Sequence, residues 1–149
     1  MLDLIIKNGS CYINKDLKNQ NLGIKDGTII KIGKIANEAK EILDAKGLTV
    51  LPGCIDTQTH FREPGSTDTE DLHSGSRAAI VGGITSVFDM PNTKPPTSTK
   101  VEFQKKLDLA NNRMYCSYAF YFGATADNAS ELADLVNLEG CCGIKLFAG

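Results

Sequence analysis

Residues 1–51 alternate apolar and polar positions in short runs, which is the pattern of half-buried β-strands. Two dipeptides between the runs, Asn8-Gly9 and Asp26-Gly27, favour positive φ and predict hairpin turns. The predicted strands cover residues 4–7, 22–25, 28–33, 41–44 and 49–51. We therefore predict a small β module over residues 1–51, with a role in packing and support.

From Pro52 onwards, apolar runs of strand length alternate with segments whose apolar residues recur at helical spacing. The first strand opens at Pro52, and further strands are predicted over 84–90, 114–122 and 143–148. Strands that alternate with helices at this spacing indicate a parallel sheet.

Capping patterns locate the helices. The first helix is predicted to follow a capping box at Thr67–Glu70 and to end at Gly82-Gly83. A second capping box, Thr99 with Glu102, opens the next helix, and a third helix is predicted over 130–138.

The 149 residues are 42% hydrophobic and 23% charged, which is ordinary for a globular protein with an apolar core. The net charge is -2 and basic runs are missing, so no nucleic-acid partner is expected. The N-terminus resembles neither a signal peptide nor a membrane span, which predicts a cytoplasmic protein. Five cysteines without C-x-x-C spacing are interpreted as small buried residues: Cys11, Cys54, Cys116, Cys141 and Cys142.

The strand that opens at Pro52 becomes polar towards its end. Gln58, His60 and Arg62 are two residues apart, so in an extended strand their side chains share one face. The segment then ends in the turn dipeptide Pro64-Gly65. An amide, an imidazole and a guanidinium are therefore predicted to converge at the end of a buried strand.

Three segments carry recognisable motifs: His60-Phe61-Arg62-Glu63-Pro64-Gly65, Met90-Pro91-Asn92-Thr93 with Pro95-Pro96, and Gly143-Ile144-Lys145-Leu146-Phe147. In these segments the chain resembles the class I-like dihydroorotases of the amidohydrolase superfamily. The chain differs from most of the superfamily at one position, because it has Gln58-Thr59-His60 in place of His-x-His. The resemblance implies an α/β fold, the first half of a (β/α)₈ TIM-type barrel over residues 52–149, preceded by part of a small β-sandwich.

The strand count predicts an incomplete barrel. A (β/α)₈ barrel typically takes about 250 residues, whereas four of its strands are predicted here. Half a barrel leaves strand edges open, so we expect the N-terminal part of a longer enzyme. The resemblance places the catalytic aspartate and the remaining histidine ligands in later strands. No catalytic residue is therefore expected within these 149 residues, and the chain alone is predicted to be inactive.

His60 is the best candidate for a metal ligand, because neutral imidazole is a common ligand of Zn²⁺. A lone histidine is more often structural, and the surrounding motif favours the ligand. Gln58 offers only a weaker amide oxygen, so one of the one or two zinc positions is expected to be poorly held or vacant. Asp56 is predicted either to orient a ligand or to pair with the backbone. His73 is assigned no role.

Lys145 lies between two apolar residues in the fourth strand predicted after Pro52. A lysine directed into a barrel either finds an anion or loses its proton, because burying an ammonium is costly. The resemblance implies that Lys145 is N6-carboxylated and serves as a metal ligand. The alternative is a surface lysine at a strand end.

Arg62 and Asn92 are the candidate substrate-binding residues. A guanidinium binds carboxylates in a bidentate manner, and an amide both donates and accepts. The resemblance implies that both hold the carboxylate of dihydroorotate. Taken singly, a surface ion pair for Arg62 and an Asx turn for Asn92 are the alternatives.

The activity implied for the intact enzyme is metal-dependent hydrolysis of a cyclic amide. It would interconvert (S)-dihydroorotate and N-carbamoyl-L-aspartate in pyrimidine synthesis. A dihydropyrimidinase or allantoinase is the nearest alternative, although Arg62 counts against it because those substrates lack a ring carboxylate. Gln58 keeps open a non-catalytic subunit that scaffolds aspartate transcarbamoylase. The full-length protein is expected to be a homo-oligomer.

Overall fold

The computed structural model describes residues 1–36 and 38–148. The chain forms two compact units, Met1–Pro52 and Gly53–Gly149. Each unit has sheets of its own. Within the described ranges, no helix is long and apolar enough to cross a membrane.

The described part of the first unit is a β-sandwich module of seven strands in two sheets. The strands are β1 (Leu2–Lys7), β2 (Ser10–Ile13), β3 (Asp16–Asn19), β4 (Asn21–Lys25), β5 (Thr28–Gly33), β6 (Ala39–Asp44) and β7 (Thr49–Val50). One sheet has the strand order β5-β4-β1-β6, and the other has the order β3-β2-β7. Ile5, Cys11 and Leu22 are among its buried apolar residues.

The five strands predicted in this unit are confirmed, and two were missed. β2 was missed because its apolar residues, in Ser-Cys-Tyr-Ile, are consecutive and do not alternate with polar ones, and β3 was missed because Asp-Leu-Lys-Asn contains one apolar residue. Asp26-Gly27 joins the antiparallel pair β4 and β5 with φ of 49° and 72°, as predicted. The corresponding prediction for Asn8-Gly9 is wrong, because β1 and β2 belong to different sheets. The second hairpin turns at Asn14-Lys15, which joins β2 and β3.

The second unit is the first half of a (β/α)₈ barrel, as predicted. Its parallel strands are β8 (Cys54–Thr59), β9 (Ile84–Asp89), β10 (Ser117–Gly123) and β11 (Cys141–Lys145), in the order β11-β10-β9-β8. The helices between them are α1 (Leu72–Val81), α2 (Lys100–Ala110) and the short α3 (Leu132–Leu135), which follows a 3₁₀ turn at Ala129–Glu131. Each strand thus pairs with the next one along the chain.

The helix ends test the capping predictions. Thr99 caps α2 by accepting a hydrogen bond from the Glu102 amide at 3.2 Å, as predicted, but the predicted capping box is incomplete, because the Glu102 carboxylate accepts from Nζ of Lys105. The prediction for α1 is wrong, because the capping box is formed by Asp71 and Ser74. The Thr67–Glu70 segment instead forms a turn in which the Thr69 amide donates to the Ser66 carbonyl. α1 gives way to Gly82-Gly83 as predicted, with Gly83 at φ of 84°.

The core of the second unit lies between its sheet and its helices. Its fully buried apolar side chains include Leu72, Val87, Phe103, Phe120 and Phe122. The prediction that all cysteines are buried is wrong for Cys54, which is exposed; Cys11 and Cys116 are buried, and Cys141 and Cys142 are half-buried.

Candidate active site

His60 follows the last residue of β8 and is oriented by a loop residue. Its ring Nδ1 lies 2.9 Å from Oδ1 of Asn92, which stands in the loop after β9. Because an amide oxygen only accepts hydrogen bonds, the neutral ring carries its proton on Nδ1. The lone pair of Nε2 is therefore left available for a ligand.

The backbone on both sides of His60 is attached to the end of β9. The Phe61 amide donates to Oδ1 of Asp89 at 2.7 Å, and the Thr59 hydroxyl donates to the same oxygen at 3.0 Å. The Met90 amide donates to the Thr59 carbonyl at 2.9 Å. The position of His60 in the loop is thus set by residues that lie about one strand-helix unit later in the chain.

Asp89 is one half of a fully buried ion pair. Nζ of Lys106, on α2, donates to Oδ2 of Asp89 at 2.6 Å, and both side chains are 0% exposed. Nζ also donates to the Met90 carbonyl at 3.0 Å and lies 4.7 Å from the centre of the Phe120 ring. Burial lowers the pKa of Lys106, and the charge of Asp89 opposes this shift.

The sequence analysis missed this pair, although a signal for it was present. Lys106 falls on the same helical face as Phe103 and Ala110, at a position where an apolar residue is expected. A lysine in the middle of an apolar face indicates a buried anionic partner, because an unpaired ammonium in the core is costly.

Arg62 and Asn92 line one cleft, so the structure brings the two predicted substrate-binding residues together. The cleft has a volume of about 320 Å³ and is lined by Arg62, Pro64, Ser66, Thr69, Asn92, Thr93 and Lys94. Lys94 is a second cation that the sequence analysis did not single out. Two cations and no carboxylate are found among the described residues of this lining, which favours an anionic ligand.

Glu63 anchors the loop that carries Arg62. Its carboxylate accepts two hydrogen bonds from the Arg113 guanidinium, at 2.8 and 3.1 Å, and one from the Leu72 amide at 3.0 Å. The hydrogen bonds with Glu63 raise the pKa of Arg113. The loop after β8 is thereby fixed to the first residue of α1 and to the segment after α2.

Gly75→Ala is expected to destabilise the protein by about 1–3 kcal/mol through overpacking. A Cβ atom at Gly75 would lie 2.5 Å from two carbons of the Phe61 ring, which is itself buried beside His60. Urea denaturation of the variant checks this. The control is Gly82→Ala at the end of the same helix, where φ is -81° and the nearest atoms to an added Cβ atom lie at 3.4 and 3.5 Å, so that neither backbone strain nor a clash is expected. Equal losses in the two variants would contradict the packing explanation.

The predicted shared face of Gln58, His60 and Arg62 is wrong. β8 ends at Thr59, so His60 and Arg62 belong to a loop and strand alternation does not extend to them. The Phe61 amide there donates to Oδ1 of Asp89, and the Phe61 side chain is buried in the core. Of the two alternatives for Asp56, the backbone pairing is observed, because its carboxylate accepts from the Gln58 amide at 2.9 Å.

Gln58 and Lys145 lie on opposite edge strands of the sheet. Gln58 lies on β8 and is exposed, whereas Lys145 is the last residue of β11, and these are the two edge strands. Nζ of Lys145 lies 5.3 Å from the centre of the Phe147 ring. Within residues 1–36 and 38–148, no three His, Cys, Asp or Glu side chains gather closely enough to hold a metal ion. Of the predicted ligands, His60 is the one whose hydrogen bonding fits a metal site.

The second unit has four parallel strands joined by helices, and polar side chains lie in the loops at the carboxyl ends of the strands. This arrangement defines an α/β-barrel protein of the kind that carries its site on those loops. The comparison with protein families is more specific. The Amidohydrolase family matches residues 49–137, and the chain belongs to this family.

Several relatives and solved structures are similar over most of this chain. An allantoinase from Escherichia coli O1:K1 is 37% identical over 146 residues, covering 97% of this chain and 32% of its own length. A dihydroorotase from Methanosarcina mazei is 41% identical over 140 residues, covering 93% and 30%. The solved L-hydantoinase (dihydropyrimidinase) from Arthrobacter aurescens has a TM-score of 0.87 at 30% identity, covering 97% and 32%. The chain therefore spans less than a third of the length of these proteins.

Proposed function

We propose that this chain contributes the substrate-anchoring part of the active site of a metal-dependent hydrolase of cyclic amides. The observation that carries the proposal is the arrangement of His60, Asn92 and Arg62. Asn92 holds the proton on Nδ1 of His60 and also lines the cationic cleft with Arg62. One side chain thus links the candidate ligand to the candidate anion site.

The substrate we propose is dihydroorotate, hydrolysed to N-carbamoyl-L-aspartate or formed from it by ring closure. Its carboxylate suits a cleft with two cations, Arg62 and Lys94. The amide group of Asn92 can donate to a carboxylate oxygen through Nδ2 while Oδ1 accepts from His60. The dihydroorotases among the relatives support this choice.

His60 would hold a metal ion through Nε2, with Lys145 as a carboxylated ligand and Gln58 as a weak one. A bound zinc ion would supply Lewis-acid activation of the water and of the amide carbonyl. The other ligands and the catalytic aspartate would come from the two thirds of the relatives' length that this chain does not match. The role of this chain's own residues is to present Nε2 and to orient the substrate.

A second candidate is hydrolysis of allantoin or of a hydantoin. The allantoinase from Escherichia coli matches at 37% identity over nearly all of this chain, and the similar solved structures include hydantoinases. These rings lack the carboxylate that Arg62 would bind. A third possibility is a non-catalytic subunit that scaffolds aspartate transcarbamoylase. Such a subunit would differ from both hydrolases because it would show neither bound metal nor turnover.

Arg62→Ala is expected to lower kcat/KM for dihydroorotate by roughly 10–100-fold, because a charge-assisted hydrogen bond contributes about 1.5–3 kcal/mol. The assay uses a chain in which these 149 residues are followed by the remainder of the barrel. Hydrolysis of allantoin and hydantoin is measured beside it, and Arg77→Ala, an exposed arginine on α1 outside the cleft, is the control. Unchanged affinity for dihydroorotate would favour the second candidate.

The 149-residue chain alone is expected to hydrolyse none of these substrates. It contains one well-oriented candidate ligand, and the described residues gather no three-residue metal cluster. Turnover by the purified chain, abolished by a chelator, would overturn the proposal that further residues complete the site.

A further inference from the structure

The two oxygens of the Asp89 carboxylate bond to residues that are distant from each other in the sequence. Its Oδ1 accepts hydrogen bonds from Thr59 and Phe61, the two residues that flank His60. Its Oδ2 accepts from Nζ of Lys106. One oxygen therefore faces the candidate site, and the other faces the core.

Lys106 leaves the carboxylate little freedom to rotate. Its ammonium is fixed by three contacts: Oδ2 of Asp89 at 2.6 Å, the Met90 carbonyl at 3.0 Å and the face of the Phe120 ring at 4.7 Å. Both charged side chains are completely buried. Because rotamer changes would leave a buried charge without its partner, the direction of Oδ1 towards β8 is also fixed.

The same segment of chain orients the imidazole. Asn92 follows Asp89 by three residues and accepts the hydrogen bond from Nδ1 of His60. The end of β9 thus determines the backbone on either side of His60 through Asp89, and the direction of the ring through Asn92.

We propose that Asp89 and Lys106 are a positioning pair. The pair holds the backbone around His60 in the position where Asn92 accepts a hydrogen bond from Nδ1, which favours the Nδ1-protonated form of the ring. An apolar pair of similar volume would fill the core equally well, since buried ion pairs are often replaceable without loss of stability. An apolar pair would supply no acceptor for Phe61 and Thr59. The proposal rests on the proposed role of His60 as a ligand, but its test needs neither metal nor turnover.

The test uses the two histidines of the chain, His60 and His73. With ¹⁵N-labelled histidine at about pH 8, where an ordinary imidazole is neutral, the ring nitrogen shifts report the tautomer of each residue. In the native chain we expect His60 to favour the Nδ1-protonated form by roughly tenfold, as an ordinary net hydrogen bond provides. His73, whose Nε2 lies 3.2 Å from the Tyr115 hydroxyl, is the internal reference.

Two double variants separate the acceptor from the charge. In Asp89→Leu with Lys106→Met, the pair is apolar, and we expect His60 to show mixed tautomers while His73 is unchanged. In Asp89→Asn with Lys106→Met, an amide oxygen can still accept from Phe61, and the native preference of His60 is expected to be largely kept. A folded Leu-Met variant with native His60 shifts would overturn the proposal.

A matched control removes a different ion pair from the same loop. Glu63→Gln with Arg113→Met eliminates the pair that anchors the loop to the segment after α2, but neither residue bonds to Thr59 or Phe61. We expect native His60 shifts in this variant. A change equal to that of the Leu-Met variant would mean that His60 responds to any loosening of the loop, which contradicts a specific role for Asp89.

Hydrogen exchange of the unaltered chain provides a second measurement that requires no variant to fold. If Asp89 holds the Phe61 amide, that amide exchanges as slowly as the amides of the central strand β9. Exchange of the Phe61 amide through local opening, at least tenfold faster than these strand amides, would also overturn the proposal.

Discussion

Lys106→Met is expected to lower the free energy of unfolding by about 3–5 kcal/mol, because it leaves the buried carboxylate of Asp89 without its counter-charge. The methionine fills most of the volume of the lysine stem, so the loss reports the unpaired charge rather than a cavity. Urea denaturation followed by circular dichroism measures the change.

The adjacent Lys105 provides the matched control. Its Nζ lies 2.8 Å from Glu102, but its side chain is 60% exposed, whereas that of Lys106 is 0% exposed. Lys105→Met is expected to cost no more than about 1 kcal/mol, which is the range of exposed ion pairs. Adding Asp89→Asn to Lys106→Met should restore much of the lost stability, because the unpaired charge is then gone. Equal losses for Lys105→Met and Lys106→Met would contradict the buried ion pair.

His60→Ala, in a chain completed by the rest of the barrel, is expected to lower hydrolysis of dihydroorotate to below about a hundredth of the original rate. Loss of a residue that only supports a ligand typically costs 10–100-fold in metal affinity or activity, and loss of the ligand itself should cost at least as much. Metal content per chain, measured on the same samples, is expected to fall together with activity.

His73→Ala is the control for this substitution. His73 is exposed on α1 and contacts Tyr115, away from the cleft and from Asn92. Its replacement is expected to leave metal content and turnover unchanged. If His60→Ala retained both, the ligand role of His60 would be wrong, and the hydrogen bond to Asn92 would be structural.

Asn92 belongs both to the surroundings of His60 and to the cleft that contains Arg62. It accepts from His60 and also lines the cleft of Arg62, so its amide has to satisfy both neighbours at once. Once the side chain is bonded to His60, its Nδ2 direction is fixed, because oxygen and nitrogen share one planar group. The orientation of the candidate ligand and that of the candidate substrate group are therefore coupled through one side chain.

Sequence patterns were sufficient to predict those strands, turns and caps whose physical cause lies in adjacent residues. The strands β4 and β5 and their turn at Asp26-Gly27 were predicted because alternation and positive φ depend on adjacent residues. The Thr99 cap of α2 was predicted for the same reason. The capping box of α1 was misplaced because two similar patterns lie four residues apart. Packing of Leu72 in the core and the bond from its amide to Glu63 select the second pattern.

The sequence by itself determined that a β module precedes strands and helices of a half-barrel, and that His60, Arg62 and Asn92 stand at its strand ends. These features follow from periodicity, turn chemistry and three short motifs. Only the tertiary structure decided that Asn92 orients His60, that Lys94 joins Arg62 in the cleft, and that Lys106 is buried against Asp89. The physical reason is that a hydrogen bond or a buried charge depends on a partner from another element, and folding alone brings the two together.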